Sequence, residues 1–328
     1  MYYYTKTQNS RSLILKGEDT MPQKIPQCRS KDEDTGADRC NLVGEKKVQK
    51  KTKQHRLGEF DSCESVDTPK TGSNGGLTKT IKHRIKGYSG TDPLELAEHL
   101  RAKVCRNGSR KYYRFRGGRF YGGIAAADCV GCVLDCVFCW SYKPRCNPDT
   151  AGKFYTAKHV VEKLMGIARK NGYNKMRITG NEPTICRKHL IEVLEYVPND
   201  ILFILETNGI LLDKEYVKKL TSFKHHLHVR VSLKGVTAEQ FEYVTAMDGE
   251  FYELPFDALK YLIDVGISCN AAIMQELLDE DNFQILIKKL KDIDDNLARD
   301  LELESLIMYP FIEQELARRK LNINFKPE

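Results

Sequence analysis

The chain has 328 residues, 41% hydrophobic and 30% charged, with a formal net charge of +7; that is enough apolar material for one large α/β domain or two small ones. No run of about 18 apolar residues occurs, and the N-terminus lacks the basic-then-apolar pattern of a secretory signal, so neither a membrane span nor export is expected. The charge excess lies in the first 90 residues, which hold 18 Lys+Arg against 11 Asp+Glu, while the rest of the chain holds 34 of each. Eleven cysteines in a chain without an export signal point to a reducing cytoplasm, with clustered thiols as metal ligands and scattered ones, such as Cys186 and Cys269, free and buried.

Residues 1–87 show no sustained helical or strand period and contain the linker-like Thr71-Gly72-Ser73-Asn74-Gly75-Gly76. They read as a disordered, basic leader whose lysines are mixed with acids. Residues 88–121 form a helix and hairpin extension. Thr91-Asp92-Pro93 opens the helix, with proline near its first position, and Leu94, Leu96, Ala97, Leu100 and Val104 carry it to about 105. Aromatic and basic residues from Lys111 to Tyr121 flank Gly117-Gly118, a hairpin signal that also offers a surface for nucleic acid as the lesser reading.

From residue 122 to 328, strand and helix patterns alternate. Strands are predicted at 123–127, 175–180, 201–207, 227–233, 267–274 and 303–308. Helices are predicted at 157–170, 186–196, 213–220, 238–246, 255–265, 282–293 and 313–320. The apolar run Ile201 to Leu205 is of the kind buried on both faces of a parallel sheet. Six βα-type units in a row imply an α/β fold with a parallel sheet and crossover helices.

The first of these strands feeds Cys132-Val-Leu-Asp-Cys136-Val-Phe-Cys139, three thiols ending at Trp140, the single tryptophan of the chain. Thiolates hold iron–sulfur clusters and zinc, and both normally take four protein ligands. Three close cysteines therefore suit a [4Fe–4S] cluster with one iron open. Cys129 could complete a zinc site as two Cys-x2-Cys pairs, although only three residues separate the pairs. The triad resembles the cluster motif of the radical SAM superfamily, in which an aromatic residue precedes the last cysteine. Phe138 stands in that place.

That resemblance implies a partial (β/α)6 barrel whose site lies at the C-terminal ends of its strands. It also implies two cofactors: a [4Fe–4S] cluster on Cys132, Cys136 and Cys139, and S-adenosylmethionine (SAM) on the open iron. Thr179-Gly180-Asn181-Glu182-Pro183, at the end of the second strand, looks like the family's Gly-Gly-Glu-Pro, which holds the methionyl amine of SAM. Asn181 replaces the second Gly, and both Gly180 and Asn181 tolerate left-handed backbone, so the turn is expected to survive. Thr207-Asn208-Gly209 is similar to the Thr-Asn-Gly of activating-enzyme-like members. Ser232 and Lys234 match positions that commonly reach the ribose or carboxylate of SAM. Asn270 and Met308-Tyr309-Pro310 match adenine-packing positions more weakly, and Cys146-Asn147-Pro148 sits farther from the cluster than the Asn-Pro of glycyl-radical activases.

The resemblance implies an activating-enzyme-like radical SAM enzyme that cleaves SAM reductively. The 5′-deoxyadenosyl radical then abstracts hydrogen from a protein, peptide or small-molecule substrate. It would need a low-potential electron donor of the ferredoxin or flavodoxin type, and no protein acid or base is expected. Two alternatives stay open: a radical SAM enzyme that modifies RNA, and a zinc-stabilised binding protein without catalysis. His225, His226 and His228 differ in position relative to the fourth strand and are not expected to share a metal.

Overall fold

The computed structural model describes residues 92–319, all within one compact unit. The expectation of a disordered leader at 1–87 lies outside the described residues. Asp92 caps the first helix, Pro93–Val104, by accepting a hydrogen bond from the Leu94 amide at 2.6 Å. Thr156, Asp213, Thr237 and Asp279 cap later helices in the same way. Short polar side chains at these starts satisfy amides that the helix leaves unpaired.

The strands are β1 (Cys105–Arg106), β2 (Ser109–Gly118), β3 (Ile124–Cys129), β4 (Lys153–Tyr155), β5 (Lys175–Gly180), β6 (Leu202–Thr207), β7 (Leu227–Ser232), β8 (Ser268–Met274) and β9 (Glu302–Glu304). They form one sheet in the order β1-β2-β3-β5-β6-β7-β8-β9, with β4 pairing to β2. β3 through β9 along that path are parallel neighbours, and β1, β2 and β4 add an antiparallel flank. The architecture is the expected α/β sheet with six parallel strands. β9 is shorter than predicted. β4 and the helix Asp295–Arg299 were not anticipated.

Two further expectations are corrected. The predicted turn at Gly117-Gly118 is not a turn: β2 runs straight through both glycines, and the chain reverses at Phe120–Gly122. There Tyr121 takes φ 54° beside two left-handed glycines, Gly122 and Gly123. Cys186 is buried as expected but not free, because it is joined to Cys105 as a disulfide across 81 residues. Cys269 is free.

The sheet has two unlike faces, which positions the site. Ala125, Ala127, Met176, Ile178, Phe203, Leu205, Val229, Val231, Ala271 and Ile273 pack with helical residues such as Leu164, Val193, Val217 and Leu259 in a single core. Alternate positions on the same strands point the other way. They include Asp128, Arg177, Glu206 and Arg230, nearly all buried. The run at 201–207 is buried on both faces at its centre, where Ile204 is 2% exposed opposite Phe203 and Leu205, but on the Ile204 face it also carries the charged Glu206 and Leu202, 37% exposed.

Candidate active site

After β3 the chain leaves the sheet as a loop holding Cys132, Cys136 and Cys139, and returns at Trp140. Nothing regular braces this loop from within, so its shape depends on bonds to the rest of the fold. The Asp135 and Val137 amides donate to the carbonyls of Thr245 and Val244, both at 2.9 Å. At its two ends the loop is tied by one side chain. Asn181 accepts from the Gly131 amide at 2.9 Å and donates to the Ser141 carbonyl at 3.1 Å.

That geometry revises the expected reason for tolerating asparagine. Gly180 is left-handed, at φ 99°, and a Cβ there would lie 2.9 Å from the Cys129 backbone nitrogen. Asn181 is not left-handed. Its amide does work that a glycine could not, joining the entrance and exit of the cysteine loop. Asn181→Gly should therefore weaken the loop although it restores the commoner residue. We expect a stability loss of about 2–5 kcal/mol, because two buried polar groups are left unpaired at about 1–3 kcal/mol each. Thermal unfolding checks this, and an unchanged midpoint would contradict it.

Glu182 is 1% exposed and anchors the ends of two neighbouring strands. Its Oε1 accepts from the Thr184 amide at 3.0 Å, the Thr184 hydroxyl at 2.5 Å and the Thr207 hydroxyl at 2.7 Å. Its Oε2 accepts from the Asn208 amide at 2.9 Å, which leaves that oxygen further acceptor capacity. Arg110 of β2, itself buried, donates to the carbonyls of Glu182 and Pro183 at 2.7 Å and of Val130 at 3.2 Å. One guanidinium thus braces both the Glu182 turn and the start of the cysteine loop.

The predicted site residues come together in two groups. Asn208 Nδ2 lies 3.7 Å from the Cys132 sulfur, on which the Leu134 amide also donates at 3.4 Å. Lys234 donates to the Ser232 hydroxyl at 2.6 Å and stands 5.6 Å from the centre of the Phe138 ring. Burial raises all three loop thiols, Cys136 to about 11. For Cys132 the Glu182 carboxylate and the other two thiols push the same way, and for Cys136 and Cys139 the Lys234 and Arg145 cations oppose it. A metal would draw off these protons, since the thiolate is the ligand.

A tetrahedral single ion such as zinc needs sulfurs about 3.8 Å apart, given Zn–S bonds of about 2.3 Å. Among the described residues, no three His, Cys, Asp or Glu side chains form a group that could hold one ion. Cys129 instead faces the helix-side core, fully buried. A cluster takes each thiolate on a different iron and does not require that convergence. Three sulfur donors, amide N–H groups aimed at one of them and a buried cation beside another fit an iron–sulfur cluster.

Sequence reasoning missed the charged face of the sheet. Asp128, fully buried, takes Arg114 at 2.5 Å and Arg116 at 2.9 Å. Both guanidinium groups lie over the Trp140 ring, at 5.4 and 5.8 Å. Glu206 pairs with Arg177 at 2.5 Å and accepts from Tyr121 at 3.1 Å, and Arg230 pairs with Glu302 and Glu304 at 2.7 and 2.9 Å. Parallel strands ordinarily read as unbroken apolar runs. Polar residues at alternate positions of five neighbouring strands were the signal to follow.

Burial by itself would raise Glu206, but Arg177 and Arg230, with hydrogen bonds from Thr179 and Arg177, hold its carboxyl at about 2. A folded-state value below the ordinary 4.5 favours the folded protein above about pH 4.5 and loses that contribution as pH falls toward 2. Thermal midpoints of the wild type should therefore drop between pH 4.5 and 3 more steeply than those of Glu206→Gln. Parallel curves for the two proteins would contradict the assignment. His225 and His226 touch each other, while His228 bonds Asn270 and Ser268 at 2.9 Å.

A cysteine loop with three thiols is thus set at the C-terminal ends of a parallel sheet and backed by a glycine–carboxylate turn, the arrangement of a candidate metal–thiolate site. Residues 128–289, just under half of the chain, match the model of the radical SAM superfamily. Its cofactors are a [4Fe–4S] cluster and S-adenosylmethionine. Among curated proteins the chain is similar to a "Probable GTP 3′,8-cyclase" of Thermococcus kodakarensis, 31% identical over 45% of this chain and 46% of that protein. The protein of the same name from Saccharolobus solfataricus is 27% identical over 42% of each. The chain thus spans less than half the length of these curated relatives. Among solved structures, Streptococcus suis SuiB bound to precursor peptide SuiA is 18% identical, with a TM-score of 0.46 covering 62% of this chain and 47% of that one.

Proposed function

We propose that this protein uses SAM and a [4Fe–4S] cluster to generate a 5′-deoxyadenosyl radical that removes hydrogen from a substrate held on the charged face of the sheet. When bound, the cluster supplies the electron that cleaves SAM, and its unligated iron supplies the docking point. The observation that carries this reading is the junction at Glu182. One buried carboxylate, through Thr207 and Asn208, ties the end of β5 to the end of β6, and Asn208 in turn reaches Cys132.

In this reading Cys132, Cys136 and Cys139 hold the cluster. The remaining acceptor capacity of Glu182 Oε2 faces the methionyl amine, with the backbone of Gly180, Asn181 and Pro183 shaping the turn around it. Ser232, Lys234 and Phe138 bind the rest of SAM, and Lys234 contributes a cation for its carboxylate. Substrate is oriented by the positive charge of Arg114, Arg116, Arg177 and Arg230, whose carboxylate partners fix the guanidinium planes. The substrate is a small polar molecule, a reading supported by that lining and by the naming of the curated relatives as small-molecule cyclases. A peptide is the second reading, and the activating-enzyme-like assignment rests only on Thr207-Asn208-Gly209. A low-potential donor of the ferredoxin or flavodoxin type would supply the electron, and the thiol requirement suits the cytoplasm. Among the described residues no helix is long and apolar enough to cross a membrane.

Anaerobic incubation of the iron-loaded protein with SAM and a strong reductant tests the proposal. It predicts 5′-deoxyadenosine and methionine in equal amounts. An intact cluster with no product, in the presence of extracts that contain substrate, would overturn it.

A further inference from the structure

The carboxylate of Asp135 is out of place by ordinary electrostatics. It lies between Cys132 and Cys136, 3% exposed, in a loop whose ligands carry negative charge once they bind metal. A buried carboxylate is tolerated only when it is paired and hydrogen-bonded. Two arginines supply the ion pairing. Arg145, in the helix Tyr142–Cys146 just past the loop, is ion-paired to one Asp135 oxygen. Arg319 pairs with the other at 2.8 Å and donates to the Asp135 backbone carbonyl, also at 2.8 Å.

Arg319 is 184 residues from Asp135 in sequence. It sits at the end of the helix Pro310–Arg319, outside the segment 128–289 that matches the family. Its guanidinium is steadied from behind by Glu315 at 2.7 Å, which also takes Arg318. The same helix reaches the loop a second time, since Phe311 stacks on Tyr142 with centroids 6.2 Å apart and planes 21° apart. Two separate contacts therefore join this helix to the cysteine loop and to the short helix that follows it.

We infer that the helix Pro310–Arg319 is a latch on the cluster loop and that Arg319 is a positioning residue for the cluster. By gripping both the side chain and the carbonyl of Asp135, it fixes the spacing of Cys132 and Cys136. By placing a buried cation beside the loop, it favours the more negative, reduced cluster. The inference rests on the cluster assignment made above, and the test keeps the two separable.

The holoprotein is compared with Arg319→Gln and Arg319→Lys, under anaerobic conditions, for iron release to a chelator and for the midpoint potential of the cluster by EPR-monitored titration. Arg319→Gln should release iron roughly 10- to 100-fold faster, the range seen when a group supporting a metal ligand is lost. It should also be harder to reduce, because a cation has been removed. Arg319→Lys keeps the charge but cannot hold the carboxylate and the backbone carbonyl of Asp135 together as a fork does. It should recover the potential while still releasing iron faster than the wild type. If Arg319→Gln does not accumulate as folded protein, Arg319→Lys carries the test: faster iron release than the wild type supports the latch, and an unchanged rate overturns it. Unchanged release and potential in folded Arg319→Gln would overturn the latch. Failure of the wild type to hold any iron would instead overturn the cluster assignment.

Discussion

Replacing Cys136 by alanine should leave a folded protein that binds almost no iron and makes no 5′-deoxyadenosine, where the wild type binds about four irons per chain. Cys136 lies in the loop rather than in the sheet, and its backbone neighbours Asp135 and Val137 remain tied to Thr245 and Val244. The fold should therefore survive, with a thermal midpoint for metal-free Cys136→Ala within a few degrees of the metal-free wild type. Alanine at Cys129 makes the useful contrast. That side chain is fully buried in the helix-side core. Its loss should cost some stability through a small cavity and leave the iron content near that of the wild type. Equal iron loss from both variants would mean that the ligands have been misassigned.

The second large effect is expected at Glu182. Glu182→Ala leaves the amides of Thr184 and Asn208 without their acceptor, along with two hydroxyls that can turn elsewhere. Buried donors left unpaired cost about 1–3 kcal/mol each. Stability should fall by roughly 3–5 kcal/mol, and SAM affinity in the holoprotein by about 100-fold or more, because a charge-assisted contact and the turn that presents it are lost together. Equilibrium dialysis with SAM and thermal unfolding measure the two separately. A residue that only touched ligand would lose affinity at constant stability, and that outcome would contradict the junction described here.

The contrast between Glu182 and Arg319 shows what was legible in the sequence. The order of strands, the cysteine loop after the first parallel strand and the turn after the second could be read from local patterns, because alternation, capping residues and motif spacing are properties of neighbouring positions. What Glu182 does inside the fold could not be read that way, since its partners Thr207 and Asn208 lie on the next strand. Asn181 was read as a backbone substitute for glycine. Its actual partners, Gly131 and Ser141, lie 50 and 40 residues away and are brought near only by the return of the loop. Arg110 and Arg319 sit in segments that looked like an edge hairpin and a closing helix. Nothing local distinguishes a solvated arginine from one that reaches carbonyls across the fold. The Gly117-Gly118 turn was misplaced because glycine is common in turns, whereas Gly117 lies in the strand under the ring of Tyr173.

The charged face is the part that sequence patterning hid most completely. Barrel interiors are ordinarily filled by branched apolar side chains. Removing ions from water is costly, and a hydrophobic filling is often at least as stable. A sheet face lined by Asp128, Arg177, Glu206 and Arg230 departs from that pattern, which is why we propose that substrate is held there.

The measurement that bears most directly on the account is pulsed EPR of the reduced holoprotein with SAM carrying a ¹⁵N-labelled amine. Coupling of the labelled nitrogen to the cluster, lost in Cys136→Ala and weakened in Glu182→Ala, is the predicted result. A cluster signal that SAM leaves unchanged, without nitrogen coupling, would contradict an open iron held by Cys132, Cys136 and Cys139.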